Sequence, residues 1–182
     1  MTADGWTHQY DQQSNQVLVN VAERNWSTNR EESNIYGLMP NYPCCLANMH
    51  QGWPKFVEHM WMATHDKGLV ASVYGPSKVR ALVGDGSPVT ITEETDYPFD
   101  GKITFTIETE KKVEFPIYLR IPGWAEPVSI EYQGQEIYAR GGETVRLMAS
   151  WEDGDIISMD IPFNIRTERR YNNSVSVLRG PL

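Results

Sequence analysis

Lys102-Ile103-Thr104-Phe105-Thr106-Ile107 alternates polar and apolar residues without a break, and that period of two decides the fold. Side chains on a strand point alternately to opposite faces. Ile103, Phe105 and Ile107 would therefore line a core while Lys102, Thr104 and Thr106 meet water. The same rule recurs in Ile117, Leu119 and Ile121, in Val145 and Leu147, in Ile157, Met159 and Ile161, and in Val175 and Val177. Turn chemistry separates these runs at Gly84-Asp85-Gly86, Asp100-Gly101, Pro122-Gly123, Gly141-Gly142 and Asp153-Gly154. About eight or nine short strands at such spacing predict an antiparallel β-sandwich or jelly roll over residues 68–182.

Upstream of Gly68 the apolar period becomes that of a helix. Val17, Leu18, Val21 and Ala22 form one stripe, with Ser14 placed as its N-cap. Met49, Trp53, Phe56, Val57, Met60 and Trp61 form a second, in which Pro54 either kinks the helix or starts a new one. Trp53 is expected to pack in a core. Asn25 to Pro43 reads as loop. Two or three helices over roughly 65 residues cannot close a core unaided. Residues 1–67 therefore need more helices or must pack on the sheet, and both ends of the chain are expected to be cut.

The chain carries 16 basic and 24 acidic side chains, a net charge of −8. Lys111-Lys112 and Arg169-Arg170 are isolated pairs, not a basic patch, which argues against a nucleic-acid partner. The 22 residues from Ser33 to Pro54 lack formal charge and could cross a bilayer by length, but their Pro, Asn and His residues argue against a membrane span. Nine Tyr and six Trp supply flat rings that suit sugar-facing surfaces and cores alike.

Within that uncharged stretch, Pro43-Cys44-Cys45-Leu46-Ala47-Asn48-Met49-His50-Gln51-Gly52-Trp53 holds both cysteines of the protein. A solvated loop would carry charge and an inert core would be more aliphatic, so the segment reads as the wall of a buried site. A thiol with a pKa of about 8.5 is mostly protonated at neutral pH. A helix start after Pro43 would lower that value, and a bound Zn²⁺ would hold both sulfurs as thiolates. Two adjacent cysteines do not complete a zinc site. His8, His50, His59 and His65 show no metal-binding spacing, and Glu31-Glu32 reads as a solvated pair. On spacing alone, two buried thiols packing as small hydrophobes is an equal reading.

His8 and Tyr10, in Trp6-Thr7-His8-Gln9-Tyr10, are candidates to face a sugar or to serve structure. Asn48, four residues after Cys44, would share its helical face and donate to substrate or sulfur, or else hydrogen-bond a helix start. His59 and His65 read as exposed helix-face residues. Trp124 and Trp151, beside β turns, read as sandwich-edge packing ahead of carbohydrate platforms.

Asn34-Ile35-Tyr36-Gly37-Leu38, followed by the double-cysteine run as far as Lys55, resembles the β-L-arabinofuranosidase family, glycoside hydrolase family 127. Thr7-His8-Gln9-Tyr10-Asp11-Gln12, Gly68-Leu69, Tyr74-Gly75-Pro76-Ser77 and Arg179-Gly180-Pro181-Leu182 extend the likeness over essentially the whole chain. The resemblance implies an (α/α)₆ barrel ending in residues 1–67 and a β-sandwich in residues 68–182. It implies retaining hydrolysis of an arabinofuranoside-like carbohydrate, with Cys44 as nucleophile and Zn²⁺ held by Cys44 and Cys45. The remaining ligands, a glutamate and a third cysteine, are implied in an upstream Glu-x-Cys motif, whose glutamate also serves as acid and base. With only two cysteines, this sequence lacks that motif, and a C-terminal fragment with little or no turnover alone is expected. Reduced thiols fit a cytoplasm, and zinc protection would also permit a periplasm. A non-catalytic carbohydrate-binding sandwich with a helical cap, and a redox or metal-storage protein built on vicinal thiols, are the alternatives from other classes.

Overall fold

The computed structural model describes residues 48–182. His8, Tyr10, Cys44 and Cys45, together with the stripe from Val17 to Ala22, lie outside the described residues. The chain divides between Phe56 and Val57, and Val57–Leu182 forms one compact unit.

That unit is β-sheet almost throughout. Strands β1 (Trp61–Ala63), β2 (Leu69–Ala71), β6 (Val113–Arg120) and β9 (Thr144–Trp151) form a four-stranded sheet in the order β1-β2-β6-β9. Strands β3 (Ser77–Val83), β4 (Ser87–Thr95), β5 (Lys102–Thr109), β7 (Val128–Tyr132), β8 (Gln135–Ala139) and β10 (Ile156–Asp160) form a six-stranded sheet, ordered β3-β4-β5-β10-β7-β8. The inward residues of both sheets belong to one hydrophobic core, which makes the unit a β-sandwich. The predicted alternation is borne out where it was clearest: Ile103, Phe105 and Ile107 of β5 are buried, as are Ile117, Leu119, Ile121, Leu147, Ile157, Met159 and Ile161.

One pairing departs from the expected antiparallel pattern. Strand β2 runs parallel to β6, with Leu69 opposite Ile117 and Ala71 opposite Leu119. After β2 the chain crosses to the other sheet for β3, β4 and β5, then returns as β6. No tight turn joins the two neighbours, so nothing forces them antiparallel.

The helical stripe from Met49 to Trp61 is shorter than its spacing suggested. Helix α1 spans Gly52–Glu58 and buries none of its residues, with Trp53 69% exposed instead of packed in a core. Pro54 lies in its first turn, where the missing N–H breaks no helical bond. Beyond α1 the backbone turns at His59-Met60, and Ser72 N donates to Met60 O at 2.9 Å, opening the β1–β2 pairing. Met60 and Trp61 therefore serve the sandwich and not a helix. His65 is exposed as expected but sits in a turn.

Strands β11 (Ile165–Arg169) and β12 (Val175–Arg179) form a separate two-stranded ribbon. The alternation of Val175 and Val177 correctly marks a strand. Both are exposed, because among the described residues no second layer covers that face.

Gly101 shows how closely the strands approach. A Cβ there would lie 1.9 Å from Ile161 O and 3.1 Å from Phe163 Cε1, while Ile161 N donates to Gly101 O at 3.0 Å. Gly101→Ala must therefore splay the junction of β5 and β10, and we expect a loss of about 2 kcal/mol. A urea midpoint unchanged from wild type would show that this close approach is not real.

Candidate functional site

The six-stranded sheet contains a carboxylate where its pattern calls for an apolar residue. In β4 the side chains of Val89, Ile91 and Glu93 share the inward face, and Glu93 is only 2% exposed. Its neighbours across the sheet are Ser77 on β3 and Phe105 on β5. Gly75 N donates to Glu93 Oε1 at 3.0 Å and Ser77 Oγ donates to Oε2 at 2.7 Å. Trp61 Nε1, on β1 of the opposite sheet, donates to Ser77 Oγ at 2.9 Å, while its ring stands edge-on to Phe105 at 5.8 Å. A chain of hydrogen bonds thus joins the two sheets at Trp61 and Ser77 and ends on a buried acid.

Among the described residues no cation accompanies these partners, so burial dominates and pushes the Glu93 carboxyl up to about 7, against the smaller opposing effects of Ser77, Gly75 and Trp61. Tyr74 lies beside this group with its hydroxyl donating to Arg120 O at 2.7 Å. Burial first, and the Glu93 charge second, raise the Tyr74 phenol above its usual range.

A second polar cluster lies at the four-stranded sheet. Tyr118 OH donates to Asp66 Oδ2 at 2.7 Å, and Arg146 Nε donates to Tyr118 OH at 2.9 Å. Thr64 Oγ1 donates to Asp66 Oδ1 at 2.5 Å. These bonds, that from Thr64 foremost and then that from Tyr118, hold the Asp66 carboxyl down at about 2. It stays ionised through the working range and ties the β1–β2 turn to β6 and β9.

The residues nominated by sequence are not gathered by the described structure. Asn48 is exposed and accepts from Gln51 Nε2 on its Oδ1 at 3.1 Å, while Gln51 N donates to Asn48 O at 3.0 Å. His50 is exposed as well. Trp151 is fully buried, its Nε1 donating to Phe115 O at 2.9 Å. Trp124 is half-buried, with the Phe163 ring at 5.6 Å and the Arg166 guanidinium at 5.6 Å from its ring. Trp151 is thus a packing residue, and Trp124 packs at the sandwich edge with part of its ring exposed.

Two grooves of about 260 and 290 Å³ on the six-stranded sheet are lined by residues such as Arg80 and Glu108, or Lys102, Ser129 and Asp160. Neither involves a nominated residue. Among the described residues, no three His, Cys, Asp or Glu side chains are placed to hold a metal ion, and no helix is long and apolar enough to cross a membrane.

Sequence reasoning missed Glu93, although a signal was present. The parity that turns Val89 and Ile91 inward turns Glu93 inward too.

The family model for the GH127 β-L-arabinofuranosidase middle domain matches residues 68–163, from the start of β2 past β10. The chain belongs to this family. Among solved structures it is similar to a GH127 β-L-arabinofuranosidase from Geobacillus stearothermophilus T6, at 26% identity and a TM-score of 0.65, over 76% of this chain and 23% of that one. A glycoside hydrolase shares the fold at 20% identity and a TM-score of 0.73, over 90% of this chain and 28% of that one. So does a GH127 β-arabinofuranosidase, at 21% identity and a TM-score of 0.66, over 76% and 25%. The chain thus spans about a quarter of the length of these solved structures. No curated protein matches it. In this GH127 chain the family match covers Glu93, Ser77, Tyr118 and Arg146, and begins after the paired cysteines.

Proposed function

We propose that this chain is part of a retaining glycoside hydrolase acting on an arabinofuranoside-like carbohydrate, with Cys44 as its nucleophile. The observation that supports this reading is the order of parts. A GH127 middle-domain sandwich begins at residue 68, and the vicinal Cys44-Cys45 pair stands just upstream of it.

The chemistry follows from sulfur. Retaining glycosidases usually set two carboxyl groups about 5–5.5 Å apart, one as nucleophile and the other as acid and then base. Here Cys44 Sγ takes the nucleophile's place. It attacks the anomeric carbon, a C–S bond forms as the glycosidic C–O bond breaks, and the departing alkoxide needs a proton from an acid outside this chain. Water then displaces the sulfur, and the same acid, now a base, takes the water's proton. Two soft thiol donors suit Zn²⁺, which Cys44 and Cys45 would hold with ligands from elsewhere, and which would keep the sulfur ionised and ease its departure. His8, Tyr10 and Asn48 are the residues proposed to contact the sugar.

The test is a longer protein carrying the upstream Glu-x-Cys element, incubated with an aryl β-L-arabinofuranoside under quench conditions. Peptide mapping is expected to find a pentosyl adduct on Cys44. An adduct on a carboxylate, or inversion at the anomeric carbon, would overturn the reading.

A further inference from the structure

We propose that Glu93 forms a pH-sensitive clasp that binds β1 and the Tyr74–Ser77 connection to the six-stranded sheet, closed when its carboxyl is protonated and loosened when it ionises. The geometry carries this proposal. The acid is 2% exposed, its oxygens accept from Gly75 N and Ser77 Oγ, and the Trp61 indole of the other sheet donates to Ser77 Oγ and acts on the carboxyl as well. The acid fastens the Gly75 amide and the Ser77 hydroxyl, the same hydroxyl that takes the Trp61 N–H from the other sheet.

Among the described residues, the groups around it do not supply a compensating cation. Ser77 faces it from β3, Phe105 from β5, and Trp61 reaches the network from β1. Tyr74, from the connection between β2 and β3, is neutral at neutral pH and adds no positive charge. Arg120 acts on Tyr74 and Tyr97, and its Nε donates to Ser72 O at 2.5 Å. On its own strand, Glu94 turns to the outer face. Among the described residues, an ionised carboxylate here accepts hydrogen bonds but gains no ion pair. A protonated one can donate to Ser77 Oγ, which has a second lone pair beside the one that takes the Trp61 N–H.

The sign comes from linkage. The group's ordinary value is 4.5 and burial raises it to about 7. Below about 4.5 the open and closed forms are both protonated, and the clasp has its full strength. Between 4.5 and 7 the closed form keeps a proton that the open form releases, so closure weakens as pH rises. Above 7 both are ionised and the loss levels off. Between pH 6 and pH 8 the opening equilibrium should shift by about tenfold.

The experiment is a pH series on the whole chain, reading the Trp61 indole N–H resonance and the hydrogen exchange of the Gly75 amide, corrected for intrinsic rate. In the wild type we expect the Trp61 resonance to titrate with a midpoint near 7 and the Gly75 protection to fall about tenfold from pH 6 to pH 8. In Glu93→Gln both are expected to be flat. Ser77→Ala serves as a second variant that keeps the acid: the Trp61 signal should stop titrating while Gly75 continues to respond. A Trp61 resonance that is flat from pH 5 to pH 9, or that titrates unchanged in either variant, would overturn the clasp.

Discussion

Trp151→Ala is expected to cost about 3–5 kcal/mol, the scale of emptying a fully buried aromatic site. Trp151 ends β9 with no exposed surface, and its ring meets Phe115 at 6.3 Å and Tyr132 at 6.0 Å. It therefore fills space between the four-stranded sheet, which carries Phe115, and the six-stranded sheet, which carries Tyr132. Its Nε1 also satisfies Phe115 O at 2.9 Å, so the truncation strands a buried acceptor at a further cost of about 1 kcal/mol or more. A domain of this size has roughly 5–15 kcal/mol of total stability, so the alanine variant should be partly unfolded at room temperature or close to it. Trp151→Phe keeps an aromatic ring and loses mainly the N–H, and should fall between the two. Urea unfolding with near-ultraviolet circular dichroism as the readout measures all three. An alanine variant whose midpoint matches the wild type would mean that the two sheets do not share one core.

The elements that were legible in the sequence are those whose signal is local. Ile103, Phe105 and Ile107 announce β5 because period two and burial on one face are the same statement in a sandwich. The turn at Gly84-Asp85-Gly86 was visible because both glycines adopt positive φ, at 55° and 94°, which favours glycine. The β7–β8 turn at Gln133-Gly134 uses the same left-handed backbone, with φ of 45° and 73°, yet has Gln where Asn or Asp would have signalled it. The parallel pairing of β2 with β6 joins residues nearly fifty positions apart, for example Leu69 and Ile117, and no local pattern encodes such a partner. Met60 and Trp61 misled because a short apolar spacing of three and four fits a helix until the backbone turns at His59. Glu93 was hidden for the opposite reason. Its Thr92-Glu93-Glu94-Thr95 setting looks like solvated surface, and only the parity set by Val89 and Ile91 shows that one of the two carboxylates must point inward.

The largest effect on activity is expected at Cys44, in a protein that also carries the upstream acid. If sulfur forms the covalent bond to the sugar, Cys44→Ala removes the atom on which the first step depends, and kcat should fall by roughly 10⁴-fold or more. Cys44→Ser is nearly as severe despite its similar shape. A hydroxyl is far weaker as an acid than a thiol of pKa about 8.5, so almost none of it is anionic at neutral pH. Cys45→Ala separates the roles of the two sulfurs, because it leaves the attacking atom in place. It should lower bound zinc and slow turnover, yet still yield a pentosyl adduct on Cys44 in a quenched reaction. The pattern is diagnostic because two buried structural thiols would give the reverse. Alanine at either position would then lower stability to a similar degree and leave kcat of the folded fraction intact. Full activity in Cys44→Ala, measured per folded molecule, would remove sulfur from the reaction and leave the paired cysteines as packing residues.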